Sequence, residues 1–119
     1  MAEPQPLGVD SIDSIALVKA ELFKAIAHPA RIRALEILAD GPRSVGDLQP
    51  DVGIEPSHLS QQLAVLRRAG LVAARKEGNS VIYSIKDPAL TDLLGIARRL
   101  LVNSLTETRD LLADLDPTR

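Results

Sequence analysis

Apolar positions along the chain fall into short groups with different spacings, and each spacing predicts an element. Ile15, Val18, Leu22 and Ile26 recur three and four apart with Phe23 beside them, which predicts a helix from Ile12 that Asp13 or Ser14 can cap. Pro29 disfavours helical geometry at His28 and opens a second helix over residues 29–39, with Ile32, Leu35, Ile37 and Leu38 apolar. Gly41-Pro42 stops it. Ser44 is expected to cap a short helix, with Asp47 in the capping-box position and Val45 and Leu48 facing in; Pro50-Asp51-Val52-Gly53 is expected to break it. A fourth helix is predicted from Pro56 to Ala69, burying Leu59, Leu63 and Leu66 and ending at Gly70.

Beyond Gly70 the period changes from helical to alternating. Two strands are expected over residues 72–76 and 81–85, where Val81 and Tyr83 alternate with Ile82 and Ser84, and Gly78-Asn79 supplies positive-φ residues for a tight turn. Asp87-Pro88 then opens a last helix running to about Leu115. Leu90, Leu94, Ala97, Leu101, Ser104, Thr108, Leu111 and Leu115 form its heptad seam, widened at first by Leu93, Ile96 and Leu100. The order ααα-α-ββ-α is mainly helical with one small β-hairpin, a winged helix-turn-helix with extra helices at both ends. Residues 1–11 read as a flexible tail, 12–115 as one domain and 116–119 as a C-terminal tail.

At ~1.5 Å per residue the last helix is ~38 Å long. A globule of this size has too little surface to cover it. Burial within one chain is the alternative, but an intermolecular seam shared with the first helix fits better. Ile15, Val18, Leu22, Leu90, Leu94, Leu101, Leu105 and Leu111 are the candidate contacts of such a homodimer.

Composition narrows the chemistry. The 119 residues are 45% hydrophobic but only 2% aromatic, in effect Phe23 and Tyr83, so aliphatic side chains build the core. With no cysteine, disulfides, thiolate metal sites, iron–sulfur clusters and thiol switches are all excluded. No apolar run approaches the ~20 residues of a membrane-spanning helix. The N-terminus lacks a basic start followed by an apolar stretch, and the expectation is a soluble, cytoplasmic protein without membrane partners.

A net charge of −2 argues against nucleic acid until it is mapped. Residues 56–86 carry Arg67, Arg68, Arg75, Lys76 and Lys86 against Glu77 alone, between two segments that are both acidic on balance. That basic segment is either an electrostatic footprint or a solvated surface. The helix from Pro56 favours the footprint. In a helix-turn-helix the second helix enters the major groove, and here Ser57, His58, Ser60, Gln61 and Gln62 occupy its exposed faces. Gln can pair with adenine through two hydrogen bonds, and Ser donates or accepts as required. Arg75, Lys76 and Asn79 stand at the hairpin, where a basic ribbon can grip phosphates. Arg67 and Arg68 serve equally well as cations at the helix C-terminus.

Enzymatic chemistry finds no foothold. Gly-rich loops, nucleophile–base pairs and paired apolar-helix carboxylates are all missing, so the protein is expected not to be an enzyme and to need no cofactor. His28 is expected to bond to backbone at its corner, and His58 to face DNA. Neither has metal-ligand spacing to a second histidine, and no metal residues are assigned.

Three stretches resemble the ArsR/SmtB family of bacterial repressors, in that family's order. They are Phe23-Lys24-Ala25-Ile26-Ala27-His28-Pro29-Ala30-Arg31-Ile32-Arg33-Ala34-Leu35, the stretch from Ser57-His58-Leu59-Ser60-Gln61-Gln62-Leu63 through Arg67-Arg68-Ala69-Gly70-Leu71-Val72, and Arg75-Lys76-Glu77-Gly78-Asn79-Ser80-Val81-Ile82-Tyr83-Ser84-Ile85. The resemblance implies a homodimeric winged-helix repressor that binds a near-palindromic double-stranded DNA operator and is released by an effector. It assigns DNA reading to Ser57, His58, Ser60, Gln61 and Gln62, and wing contacts to Arg75, Lys76 and Asn79. Metal-sensing members commonly carry Cys-x-Cys before the recognition helix, where this chain has Ser44-Val45-Gly46-Asp47-Leu48, or histidine–carboxylate pairs on a last helix that here has Asp92 and Glu107 but no histidine. The regulator is therefore expected to sense an unknown non-metal small molecule, to use an unusual site, or to be controlled only by its own abundance. A metal-responsive repressor with an unusual His/carboxylate site and a protein-interaction module on the same scaffold are the alternatives.

Overall fold

The computed structural model describes residues 7–115 of the chain, with side chains from Asp13 onward. Among these residues the elements run α1 (Leu7–Ile26), α2 (Pro29–Leu38), β1 (Arg43–Ser44), α3 (Val45–Val52), α4 (Pro56–Arg68), β2 (Val72–Glu77), β3 (Ser80–Ile85) and α5 (Ala89–Asp114). The helical order and the hairpin match the sequence pattern. α1 begins at Leu7 rather than Ile12, so residues 7–11 are helical and not a tail; the expected tails at 1–6 and 116–119 lie outside the described residues.

Local chemistry explains the ends. His28 is the N-cap of α2, its Nδ1 accepting from the Ala30 N–H at 3.0 Å, so the histidine bonds to backbone as expected. Ser44 Oγ accepts from the Asp47 N–H at 3.1 Å and caps α3. Pro50 does not break α3. The helix continues through it to Val52 and ends at Gly53, whose φ of 82° reaches the left-handed region. One i→i−4 bond is what the proline removes from so short a helix. α4 closes with a paired cap in which Gly70, φ 78°, donates to the Arg67 carbonyl and Leu71 to the Leu66 carbonyl, both at 3.0 Å. In α5 the Asp87 carboxylate accepts from the Ala89 N–H at 2.9 Å.

The sheet is antiparallel in the order β1-β3-β2. β2 and β3 pair from Val72↔Ile85 to Glu77↔Ser80, leaving Gly78-Asn79 as a two-residue turn. Gly78 alone has positive φ, 61°, and Asn79 does not, which corrects the expectation for both. This is the type II′ pattern, in which glycine at the first central position takes up the whole conformational demand. β1 adds Arg43↔Tyr83 and Ser44↔Ile82, a third strand absent from the sequence reading. Tyr83 therefore sits in the middle strand, with neighbours on both sides.

The chain divides into two compact units at Lys86 and Asp87. In the first, Leu35, Leu48, Leu59, Leu63, Leu66 and Val72 are fully buried, joining α2, α3, α4 and the hairpin in one aliphatic core. The second is α5, where only Leu90 is buried and Leu100, Leu101, Leu105, Leu111, Leu112 and Leu115 are exposed.

Candidate nucleic-acid interface

α4 is anchored on one side and open on the other. Leu59, Leu63 and Leu66 are 0% exposed and fix the inward face. At 100° per residue Ser57, Gln61 and Arg68 fall opposite that face, with Ser60 on one flank and His58 and Gln62 on the other. Ser57, His58, Ser60 and Gln61 are exposed. The first turn holds no acidic side chain, and Glu55 at the N-cap makes no side-chain cap bond, so the helix entrance keeps backbone N–H groups for an anion.

Gln62 differs from the other four. It is half-buried, and its Oε1 accepts from the Arg31 Nε at 2.7 Å. Arg31 in turn donates from Nη1 to the Ala25 carbonyl at 3.0 Å and the Lys24 carbonyl at 3.3 Å. The structure thus keeps four of the five expected reading residues on an open surface and ties the fifth to Arg31 of α2. Arg31 was legible in the sequence only as part of the family-like stretch, because no spacing rule links positions so far apart in the chain.

In the hairpin, Arg75, Lys76 and Asn79 are all exposed. Strand alternation places Arg75 and Glu77 on one face and Lys76 on the other, so neighbouring cations cannot share a phosphate. Arg75 is already engaged. Its Nε and Nη2 donate to the same Glu77 oxygen at 3.0 and 2.8 Å. Opposite charges two apart on a strand are the sequence signal that identifies Glu77 as the partner of Arg75. Arg67, Arg68 and Lys86 are exposed as well, so the positive charge of residues 56–86 lies at the surface.

The expected dimer contacts also divide. Ile15, Val18, Leu101, Leu105 and Leu111 are exposed, and Leu22 and Leu94 are half-buried. Leu90, at 7% exposure, has almost no surface left for a partner. Among the described residues no three His, Asp or Glu groups gather where they could hold a metal ion, and no helix is long and apolar enough to cross a membrane.

Comparison with known proteins gives these features relatives. The family described as "Bacterial regulatory protein, arsR family" matches residues 28–74. The HTH-type transcriptional regulator Rv0081 of Mycobacterium tuberculosis is 57% identical over 99 residues, covering 82% of this chain and 87% of its own. The biofilm growth-associated repressor of Agrobacterium fabrum is 38% identical over 95 residues, covering 76% and 81%. The crystal structure of Rv0081 superposes with a TM-score of 0.73 at 52% identity, over 88% of this chain and 98% of that one. The solution structure of the homodimeric winged helix-turn-helix DNA-binding domain Mb0332 from Mycobacterium bovis gives 0.67 at 28% identity, over 90% and 95%.

Proposed function

The chain belongs to the arsR family of bacterial regulatory proteins and is a DNA-binding transcriptional regulator with a winged helix-turn-helix fold, and from that premise we propose a repressor that binds an inverted-repeat operator as a homodimer. One observation carries the reading. Ser57, His58, Ser60 and Gln61 form an open surface of short polar side chains on a helix whose other face is locked into the core. They are the reading residues of the proposal; Arg75, Lys76 and Asn79 contact the backbone from the wing.

Homodimerisation supplies the symmetry. The apolar residues left open on α1 and on α5 are the surfaces proposed to meet a second copy. Two reading helices related by a two-fold axis then meet successive major grooves ~34 Å apart. The regulator works where the bacterial chromosome is, in the cytoplasm. With no cysteine in the chain, its effector acts without a protein thiol.

Footprinting on the DNA upstream of the protein's own gene tests this. The expected result is a protected inverted repeat that survives excess random competitor DNA. Protection that random DNA abolishes, or a protected site without two-fold symmetry, overturns the reading.

A further inference from the structure

Arg31 stands where three helices meet. It belongs to α2, its Nη1 reaches the end of α1, and its Nε reaches the flank of α4. The last carbonyls of a helix have no partner within it. At the end of α1, those of Phe23 and Lys24 accept from the Ala27 N–H and that of Ile26 from the His28 N–H, which leaves the Ala25 carbonyl to the guanidinium. On its other edge the same rigid plane donates to Gln62 at 2.7 Å. Bonds on two edges of a planar fork fix an angle between the groups they join.

The leucines of α4 do not supply that restraint. Leu59, Leu63 and Leu66 hold the helix against the core, but apolar burial is non-directional and tolerates a small roll about the helix axis. A charge-assisted hydrogen bond is directional, and this one sits next to Gln61 in the chain. Rolling α4 so that Gln61 leaves its base edge requires Gln62 to leave Arg31.

We infer that Arg31 and Gln62 are a positioning pair for the reading helix, and that Gln62 reads no base itself. The pair holds α4 at the roll angle at which Ser57, His58, Ser60 and Gln61 meet the groove. This rests on α4 being the reading helix, as proposed above.

The test compares full-length variants on the footprinted operator and on a random duplex across a salt series, with circular dichroism and thermal melting to confirm folding. Arg31→Ala and Gln62→Ala are each expected to lower operator affinity about tenfold. The double variant should lose no more than either single one, and Gln62→Glu, which keeps an acceptor for Arg31, should restore most of the loss. For Arg31→Ala and Gln62→Ala, random-duplex affinity and its salt slope should not move, because no phosphate contact is removed. The loss should spread over the whole half-site.

Additive losses, or a Gln62→Ala variant that relaxes preference at a single base pair, overturn the inference in favour of direct reading. A shallower salt slope for Arg31→Ala overturns it in favour of a phosphate contact. Should Arg31→Ala fail to fold, Arg31→Gln, which removes the charge and the fork but keeps a polar side chain, takes its place in the cycle and in the salt series. Gln61→Ala separates the two layers. If it costs operator affinity while the pair variants do not, only the pairing fails; if it costs nothing, α4 is not the reading helix and the inference falls with it.

Discussion

Gln61 faces away from the leucines of α4 and carries a donor and an acceptor side by side, the pattern that matches the major-groove edge of adenine. Gln61→Ala is expected to weaken operator binding by about 1–3 kcal/mol and to relax preference at one base position, with random-duplex binding unchanged. Titrations against operators altered one base pair at a time check it. At the wing tip the residue that matters is an anion. The Arg75–Glu77 pair is 58% exposed on both sides, so it adds little to stability, and its weight lies in the charge it cancels. Glu77→Gln should tighten binding to any duplex. The plot of log affinity against log salt should steepen by about one unit per wing as Arg75 becomes free to displace a counterion. An unchanged slope places Arg75 away from the phosphates.

At the scale of elements, caps and ties decide where helices begin and how they are held. His28 supplies the side-chain acceptor at the start of α2, and His28→Ala should cost about 1 kcal/mol of folding stability, with His28→Asn retaining most of it. Urea melts of the three proteins measure this. α2, α4 and the hairpin were legible in the sequence because each pairs a clear period with a terminal signal: Pro29 and Gly41, Pro56 and Gly70, Gly78 between alternating runs. β1 was not, since two residues carry no period and Arg43 and Ser44 become a strand only by pairing with β3. Pro50 misled because a proline inside a helix costs one bond and does not forbid the helix. The Arg31–Gln62 tie was invisible for a different reason. Polar residues on a reading helix look alike until the neighbouring helix shows which of them is already bonded.

For the whole molecule, the question is what covers α5. Leu101 and Leu105 are 64% and 69% exposed, on a 26-residue helix with a single buried residue. Leu105→Glu should leave the helical content and the melting of the first unit intact, because Leu105 is 69% exposed. It should also shift sedimentation to that of a monomer and remove most operator affinity, since one half-site alone binds far more weakly than two joined. A variant that still sediments as a dimer removes Leu105 from the interface. The acidic net charge is compatible with this function because it is unevenly distributed: the reading helix and wing are basic, and the segments before and after them are acidic.

The middle strand of the sheet has one more consequence. Tyr83 is the only tyrosine, and the chain has no tryptophan. Near-ultraviolet emission from the unlabelled protein therefore originates almost wholly at one half-buried ring, on the strand that lies between β1 and β2. The base of the wing carries a built-in optical reporter, and any rearrangement of the ribbon when DNA arrives can be followed in native protein against a dark background.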